Sequence, residues 1–300
     1  MSIEKAVVPV GGLGTRLLPA TKSQPKEMLP VGRKPAVQYV VEELAQQGIR
    51  DILFVTGWKK RAIEDHFDDS PELVKRLTGK DKKELLDALD YGVDHLNLYY
   101  TRQKDPRGLG DAIRYAERFV NNEPFVVALG DAIIRSSPPP NLVQRLMDVH
   151  QRYPCSATIA VAEVGLDELH HYGVVKPTSG IDLSSEEFEM DDVVEKPSPA
   201  YAPSSYAIAA RYVFSPIIFR AIDQTAVMHG EVGLSHAIRV LIRMGESVRC
   251  VKLTNSEKRY DIGNHESYFR AFVDFALRDK KYGPALRAYL KEELARLEGT

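Results

Sequence analysis

Apolar residues along this chain fall into short continuous runs, separated by stretches in which they recur every three or four positions. Ala6-Val7-Val8-Pro9-Val10, Ile52-Leu53-Phe54-Val55-Thr56 and Phe125-Val126-Val127-Ala128-Leu129 are compact, β-branched or aromatic runs, which predict strands covered on both faces. Leu96 to Gln103, Ala157 to Val164, Tyr206 to Phe214 and Val248 to Leu253 extend the set. Between the first two runs, Val37, Val40, Val41 and Leu44 keep helical spacing, and Gly48 follows where a helix stop is expected. Strand, helix, strand is the parallel crossover unit. The pattern therefore predicts an α/β fold: three layers around a mainly parallel central sheet.

Other stretches fill in the frame. Lys59 to Gly92 is charged and helical, with Pro71 as a helix start and an interruption near Thr78-Gly79. Leu142 to His150 and the segment after Leu234 are helical. Ser136-Ser137-Pro138-Pro139-Pro140 is a stiff surface connection. The acidic stretch from Ser184 to Asp192 is expected to be a solvated hairpin or loop. Ser267 to Leu297 is helical, Pro284 restarting the helix after Gly283. Its stripe of Leu286, Tyr289, Leu290 and Leu294 must be covered, by its own domain or by another subunit. No internal repeat is present.

Composition narrows the class. At 300 residues the chain can bury a sizeable core without staples. Its two cysteines, Cys155 and Cys250, lie far apart with no metal-ligand spacing and read as small buried hydrophobes in a reduced compartment. Forty basic residues against forty-two acidic ones leave a net charge of -2, which gives no general attraction to nucleic acid or to anionic membranes. With no signal-peptide pattern at the N-terminus and apolar runs too short to span a bilayer, a cytoplasmic protein is expected. Any affinity for phosphate must be local.

The local chemistry begins at Gly11-Gly12-Leu13-Gly14-Thr15-Arg16, directly after the first strand. Three glycines in four residues let backbone N–H groups approach a ligand closely. Arg16 adds a planar donor fork for phosphate oxygens, with Lys22 and Lys26 as further cations. A plain strand connection would use the same glycines. The turn is not a dinucleotide fingerprint, since Leu17 stands where that motif needs its third glycine, and it is not a Walker loop, since no Gly-Lys-Ser or Gly-Lys-Thr follows. Arg107-Gly108-Leu109-Gly110 is a second tight turn opening a helix. Gly130-Asp131 ends a central strand, where a carboxylate is either a turn residue or a Mg²⁺ ligand. No nucleophile has a base and an orienting group near it in sequence, so covalent catalysis is not expected.

The run from Gly11 through Lys22, continuing through Pro25-Lys26-Glu27-Met28-Leu29-Pro30 and Lys34-Pro35, resembles the motif of the sugar-1-phosphate nucleotidylyltransferases. Tyr172-Gly173-Val174-Val175, Val194-Glu195-Lys196-Pro197 and Tyr260-Asp261-Ile262-Gly263-Asn264 are similar to later elements of that family, and the likeness covers essentially the whole chain. It implies a Rossmann-like nucleotidyltransferase fold with C-terminal helices. Residues 1–300 would form a single domain: 1–135 mainly a nucleotide-binding half, 136–265 mainly a sugar-binding half, and 266–300 terminal helices available for dimerisation.

The resemblance also implies roles. Gly11, Gly12, Leu13, Gly14, Thr15 and Arg16 would bind the nucleotide, together with Lys26, Gln103, Gly108 and Asp131. Gln103 and the Gly108 backbone match the positions that read the uracil edge, a face that thymine shares. Gly173, Glu195 and Lys196 would bind the sugar phosphate, and Asp131 with Asp261 would hold Mg²⁺. Arg16, Lys26, Lys196 and Asp131 would be catalytic. The implied partners are UTP and glucose 1-phosphate, converted to UDP-glucose and pyrophosphate, in a homo-oligomeric dimer or tetramer. A dTTP-using or other hexose-using relative, or a non-catalytic nucleotide-sugar sensor, is the alternative. Gly230, Gly233 and His236 replace three polar side chains usual in the family, and Ser205 replaces a usual Asn, changes expected to bear on hexose identity.

Overall fold

In the first strand Ala6, Val8 and Val10 turn to one face and Val7 to the other, and all four are buried. The same division holds for Ile52 and Phe54 against Leu53 and Val55, and for Val126 and Ala128 against Phe125 and Val127. Alternation with both faces apolar requires cover on both sides, which makes three layers. The computed structural model describes residues 2–78, 82–87, 89, 95–136 and 139–298.

Its strands are β1 (Lys5–Pro9), β2 (Pro30–Val31), β3 (Lys34–Pro35), β4 (Asp51–Thr56), β5 (Asn97–Arg102), β6 (Phe125–Ala128), β7 (Ala132–Arg135), β8 (Ala157–Glu163), β9 (Gly173–Pro177), β10 (Glu187–Glu195), β11 (Tyr206–Phe214), β12 (Val248–Lys252) and β13 (Lys258–Asp261). Nine of them form one sheet in the order β5-β4-β1-β6-β11-β8-β12-β10-β9. All but β10 and β11 point the same way, so the mainly parallel expectation holds for direction. A further pairing of Ala207 with Val174 joins β11 to β9 and closes the second half into a small ring.

Helices Leu109–Arg114, Ile217–Asp223 and Leu234–Arg243 cover one face, and Ala36–Ala45, Arg61–Phe67 and Leu142–Arg152 cover the other. Pro71 opens a helix, Pro71–Leu77, as its fixed backbone suits a first helical position. The expected break at Gly79, the end of that segment at Gly92, and Ser137-Pro138 of the proline run lie outside the described residues. No described helix is long and apolar enough to cross a membrane.

One expectation is corrected. The acidic stretch from Ser184 to Asp192 is not a solvated loop throughout: from Glu187 it is strand β10, in which Phe188 and Met190 are buried and Phe188 pairs with Cys250 of β12. Its acids alternate with apolar residues, and that period of two outweighs the charge count.

The C-terminal helix Gly283–Glu298 lies along His265–Arg278 but buries only Gly283. Leu286 and Leu290 are half-buried, whereas Tyr289 and Leu294 are each 56% exposed, so the chain covers the terminal stripe only in part.

Strand β11 also braces the turn after β6. Its register shifts between Ile208 and Tyr212, and Ala210 adopts a left-handed φ of 61°. The Ala210 carbonyl accepts from the Leu129 N–H (3.2 Å), while the fully buried Arg211 donates to the Ala132 carbonyl (2.9 Å) and twice to Glu43 of helix Ala36–Ala45 (2.6 and 3.1 Å). Asp131 is thus presented from a turn held on both flanks.

Candidate active site

As the chain leaves β1, Gly14 takes a φ of 67°, and its carbonyl accepts from the Thr21 hydroxyl at 2.7 Å. Gly57 packs so closely that a Cβ there would stand 2.7 Å from the Gly11 carbonyl oxygen. Glycine is needed at both places, for a left-handed backbone in one and close approach in the other. Short turns then carry Arg16 and Lys26, anchored by buried Leu17 and Leu29. The result is a cleft of about 420 Å³ at the carboxyl ends of the parallel strands. Gly11, Gly12, Leu13, Gly14, Thr15 and Arg16 line it, and so do Lys26, Gln103, Gly108 and Asp131. All ten residues expected to bind the nucleotide therefore share one cleft. Lys22 is not among them; it sits exposed on the turn Ala20–Lys22.

Lys26 pairs with Asp131 at the base of the cleft. Burial opposes its charge, but Asp131, Glu27 and Asp261 together outweigh that and hold the ammonium above its usual range. For Asp131, burial favours the neutral acid, yet the charge and hydrogen bond of Lys26 prevail and hold the carboxyl below the usual range. Asp261 is pushed up, first by burial and next by Asp131. The two carboxylates are neighbours because β13 and β7 pair antiparallel with Asp261 opposite Ala132, and the Ile262 N–H donates to the Asp131 carbonyl at 2.8 Å. Beneath the loop Glu27 and Lys60 form a buried pair at 2.8 Å, Glu27 being raised by burial against the pull of Lys60 and Lys26. Lys60, unremarkable in a charged stretch, was not legible as part of this site.

Gln103 stands between the two turns, its amide donating to Asp111 at 2.6 Å and to the Gly108 carbonyl at 3.3 Å. The tight fit at Gly108 has a distant cause. Val232 donates its N–H to the Arg107 carbonyl (2.7 Å) and accepts from the Gly110 N–H (2.9 Å). A Cβ on Gly108 would meet the Val232 carbonyl oxygen at 2.6 Å, and φ there is 94°. Gly108→Ala is accordingly expected to displace this turn and weaken nucleotide affinity at least about tenfold with little change in overall secondary structure, measurable by calorimetry and circular dichroism. An affinity unchanged from the parent would contradict this reading of the turn.

The segment from Gly230 to His236 therefore touches both groups of expected site residues. Gly230, at φ 83°, is a turn residue, and Glu231 lines the same cleft as the glycine turn. Ser235 reaches the other way, donating to Glu195 at 2.8 Å beside Gly173. Ser205 bonds Glu163 at 3.1 Å.

Gly173 and Glu195 face each other across β9 and β10, and Lys196 follows with its ammonium 3.2 Å from Glu195. These three sit together, and none of them lines the cleft of the glycine turn. Lys196 is 61% exposed and its partner is Glu195 rather than a carboxylate at the base of the cleft. A second cavity, of about 670 Å³, is lined by Asp261, Tyr172, Tyr206 and Arg259 among others. Arg259 stacks over the Tyr172 ring at 4.0 Å and its charge acts on Asp261. It was missed because an Arg two residues before an Asp has no distinctive pattern.

The nucleotidyl transferase family model matches residues 5–277. A UTP–glucose-1-phosphate uridylyltransferase of Staphylococcus epidermidis is 42% identical over 291 residues, 97% of this chain and 98% of the relative. The enzyme of the same name from Bacillus subtilis is 41% identical over 292 residues, 96% of each chain. Among solved structures, a UTP-bound UGPase from Acinetobacter baumannii superposes with a TM-score of 0.88 at 32% identity, covering 97% of this chain and 99% of the other. A UDP-glucose pyrophosphorylase complexed with UDP-glucose gives 0.81 at 34% identity, covering 91% and 98%. With a family model spanning nearly its whole length and relatives this similar end to end, the chain belongs to the nucleotidyl transferase family.

Proposed function

We propose that this chain transfers a uridylyl group from UTP to glucose 1-phosphate, releasing pyrophosphate and UDP-glucose. The observation that carries the reading is the cleft in which the glycine turn, Arg16, Lys26 and Asp131 converge, in a chain whose relatives bear that activity in their names. Those relatives favour it over a dTTP-using or a non-catalytic reading. A phosphate oxygen of the sugar phosphate attacks the α-phosphorus; the new P–O bond forms as the bond to the β-phosphate breaks, and pyrophosphate leaves with the electron pair. The attacking group is already anionic, so catalysis consists of holding two anions together and offsetting their charge.

In this proposal the Gly11 to Gly14 amides and Arg16 hold the departing pyrophosphate. Lys26 offsets charge on the α-phosphate. Gln103 and the Gly108 backbone face the uracil. Gly173 and Glu195 hold the hexose, and Lys196 meets the sugar phosphate after leaving Glu195.

Asp131 and Asp261 fit Mg²⁺. They are close enough for Asp131 to raise Asp261, a repulsion that a cation relieves, and Mg²⁺ favours one or two carboxylates plus substrate phosphates. When bound, the ion supplies positive charge to the phosphates. We further propose a cytoplasmic enzyme, in line with two free cysteines, with residues 1–135 serving the nucleotide and 136–265 mainly the sugar. The exposed face of the last two helices, with Phe269, Tyr289 and Leu294 at its surface, is read as the contact between copies in a dimer or tetramer.

The test is to incubate the protein with UTP, glucose 1-phosphate and Mg²⁺ and follow pyrophosphate release. Stoichiometric release with UDP-glucose supports the proposal; nucleotide binding without release leaves a sensor. Repeating the assay with galactose and N-acetylglucosamine 1-phosphates reads the effect of Gly230, Gly233, His236 and Ser205 on the hexose.

A further inference from the structure

Three carboxylates line the nucleotide cleft, and two of them are already held: Asp131 by Lys26 and Glu27 by Lys60. The third, Glu231, is exposed, and among the described residues its carboxylate has no hydrogen-bond or ion-pair partner. A free carboxylate in a cleft for a polyanion is repulsive unless it meets neutral donors. Its placement says which part of the ligand it meets. Glu231 stands beside Gly108, its Cβ 3.1 Å from where a Gly108 Cβ would be, and lines the same cleft as the glycine turn.

That placement is built into the backbone. Met228 and Glu231 exchange main-chain hydrogen bonds, each 2.9 Å, around a two-residue turn with left-handed His229 (φ 51°) and Gly230 (φ 83°). This is a geometry whose twist suits a hairpin. Val232 then locks the hairpin onto Arg107 and Gly110. Glu231 is thereby positioned before any ligand arrives.

Between a base beside Gln103 and Gly108 and phosphates beside the glycine turn lies the ribose, whose vicinal hydroxyls are a pair of neutral donors. A carboxylate accepts from both at once and in charge-assisted fashion, as acidic residues do for the ribose in dinucleotide folds. We propose that Glu231 binds the ribose 2′- and 3′-hydroxyls of the nucleotide and so separates ribonucleoside from 2′-deoxyribonucleoside triphosphates. The proposal rests on the UTP reading above and adds a specificity-determining residue to it.

The test compares kcat/KM for UTP and dUTP, which differ only in the 2′-hydroxyl, in the parent chain and in Glu231→Ala and Glu231→Gln, with glucose 1-phosphate and Mg²⁺. The parent should favour UTP by about tenfold to a hundredfold, the range for a hydrogen bond to a charged group. Glu231→Ala should bring the UTP to dUTP ratio close to one, and Glu231→Gln, which keeps one acceptor, should fall between. A parent indifferent to the 2′-hydroxyl overturns the proposal. So does a ratio that survives in Glu231→Ala, including the case in which both nucleotides lose equally, the mark of a merely structural hairpin. If neither nucleotide is turned over by the parent, the catalytic reading fails, and the same ratio taken from calorimetric affinities decides the role of Glu231.

Discussion

Lys26→Met is expected to lower kcat by about 10²–10³, the loss seen when one preorganised charge aimed at a developing transition state is removed. Methionine keeps the length of the stem and removes only the cation. The parent ammonium is partly buried, paired with Asp131 and raised by three carboxylates, so it stays charged at any working pH. Its effect should fall on kcat more than on the KM for UTP, because in the proposed arrangement Arg16 and the glycine turn still hold the nucleotide. Steady-state kinetics with both substrates checks this, alongside a thermal melt to show that the variant is folded. A variant within about threefold of the parent would remove Lys26 from the chemistry.

Arg211→Met is expected to cost about 3–5 kcal/mol of stability, the penalty for stranding one partner of a buried ion pair. Arg211 is fully buried and Glu43 nearly so, and one Glu43 oxygen already lacks a partner. Without the guanidinium, the Ala132 carbonyl beside Asp131 also loses its donor. Burial raises the Glu43 carboxyl above its ordinary 4.5 even with Arg211 present, and without Arg211 it rises further. A raised carboxyl contributes fully below the unfolded value, and that contribution is lost as pH rises through the folded one. The variant should therefore lose less at pH 4.5 than at pH 8. Urea denaturation at both pH values measures it, and adding Glu43→Gln should restore part of the loss. A cost under about 1 kcal/mol, or one independent of pH, would contradict this account.

What could be read from the chain was what is local. Gly11 to Arg16 follows a strand within a few residues, and Val7 against Val8 divides its two faces. Those spacings give the layers and the glycine turn; the ten expected residues that line the cleft were completed by the family resemblance, which alone singled out Gln103, Gly108 and Asp131 as ligands. Strand β10 was hidden because its acids masked a period of two. Glu231 was hidden for another reason: it meets Gly108 across more than a hundred residues, and only the closing of the fold joins them. Arg211 is legible neither by period nor by motif, since an Arg in an apolar strand usually faces solvent and here turns inward to Glu43. The cover expected for the terminal helix was not legible either, since its apolar spacing says that a face must be covered and not by what.

The central claim is that the two anionic substrates react directly with each other, with no enzyme-linked intermediate. The most direct measurement uses UTP carrying sulfur in place of one non-bridging α-oxygen, in a single configuration, and determines the configuration at phosphorus in the UDP-glucose formed. One in-line displacement predicts inversion. Retention would mean two displacements, and hence a group on the protein that carries the nucleotide between them.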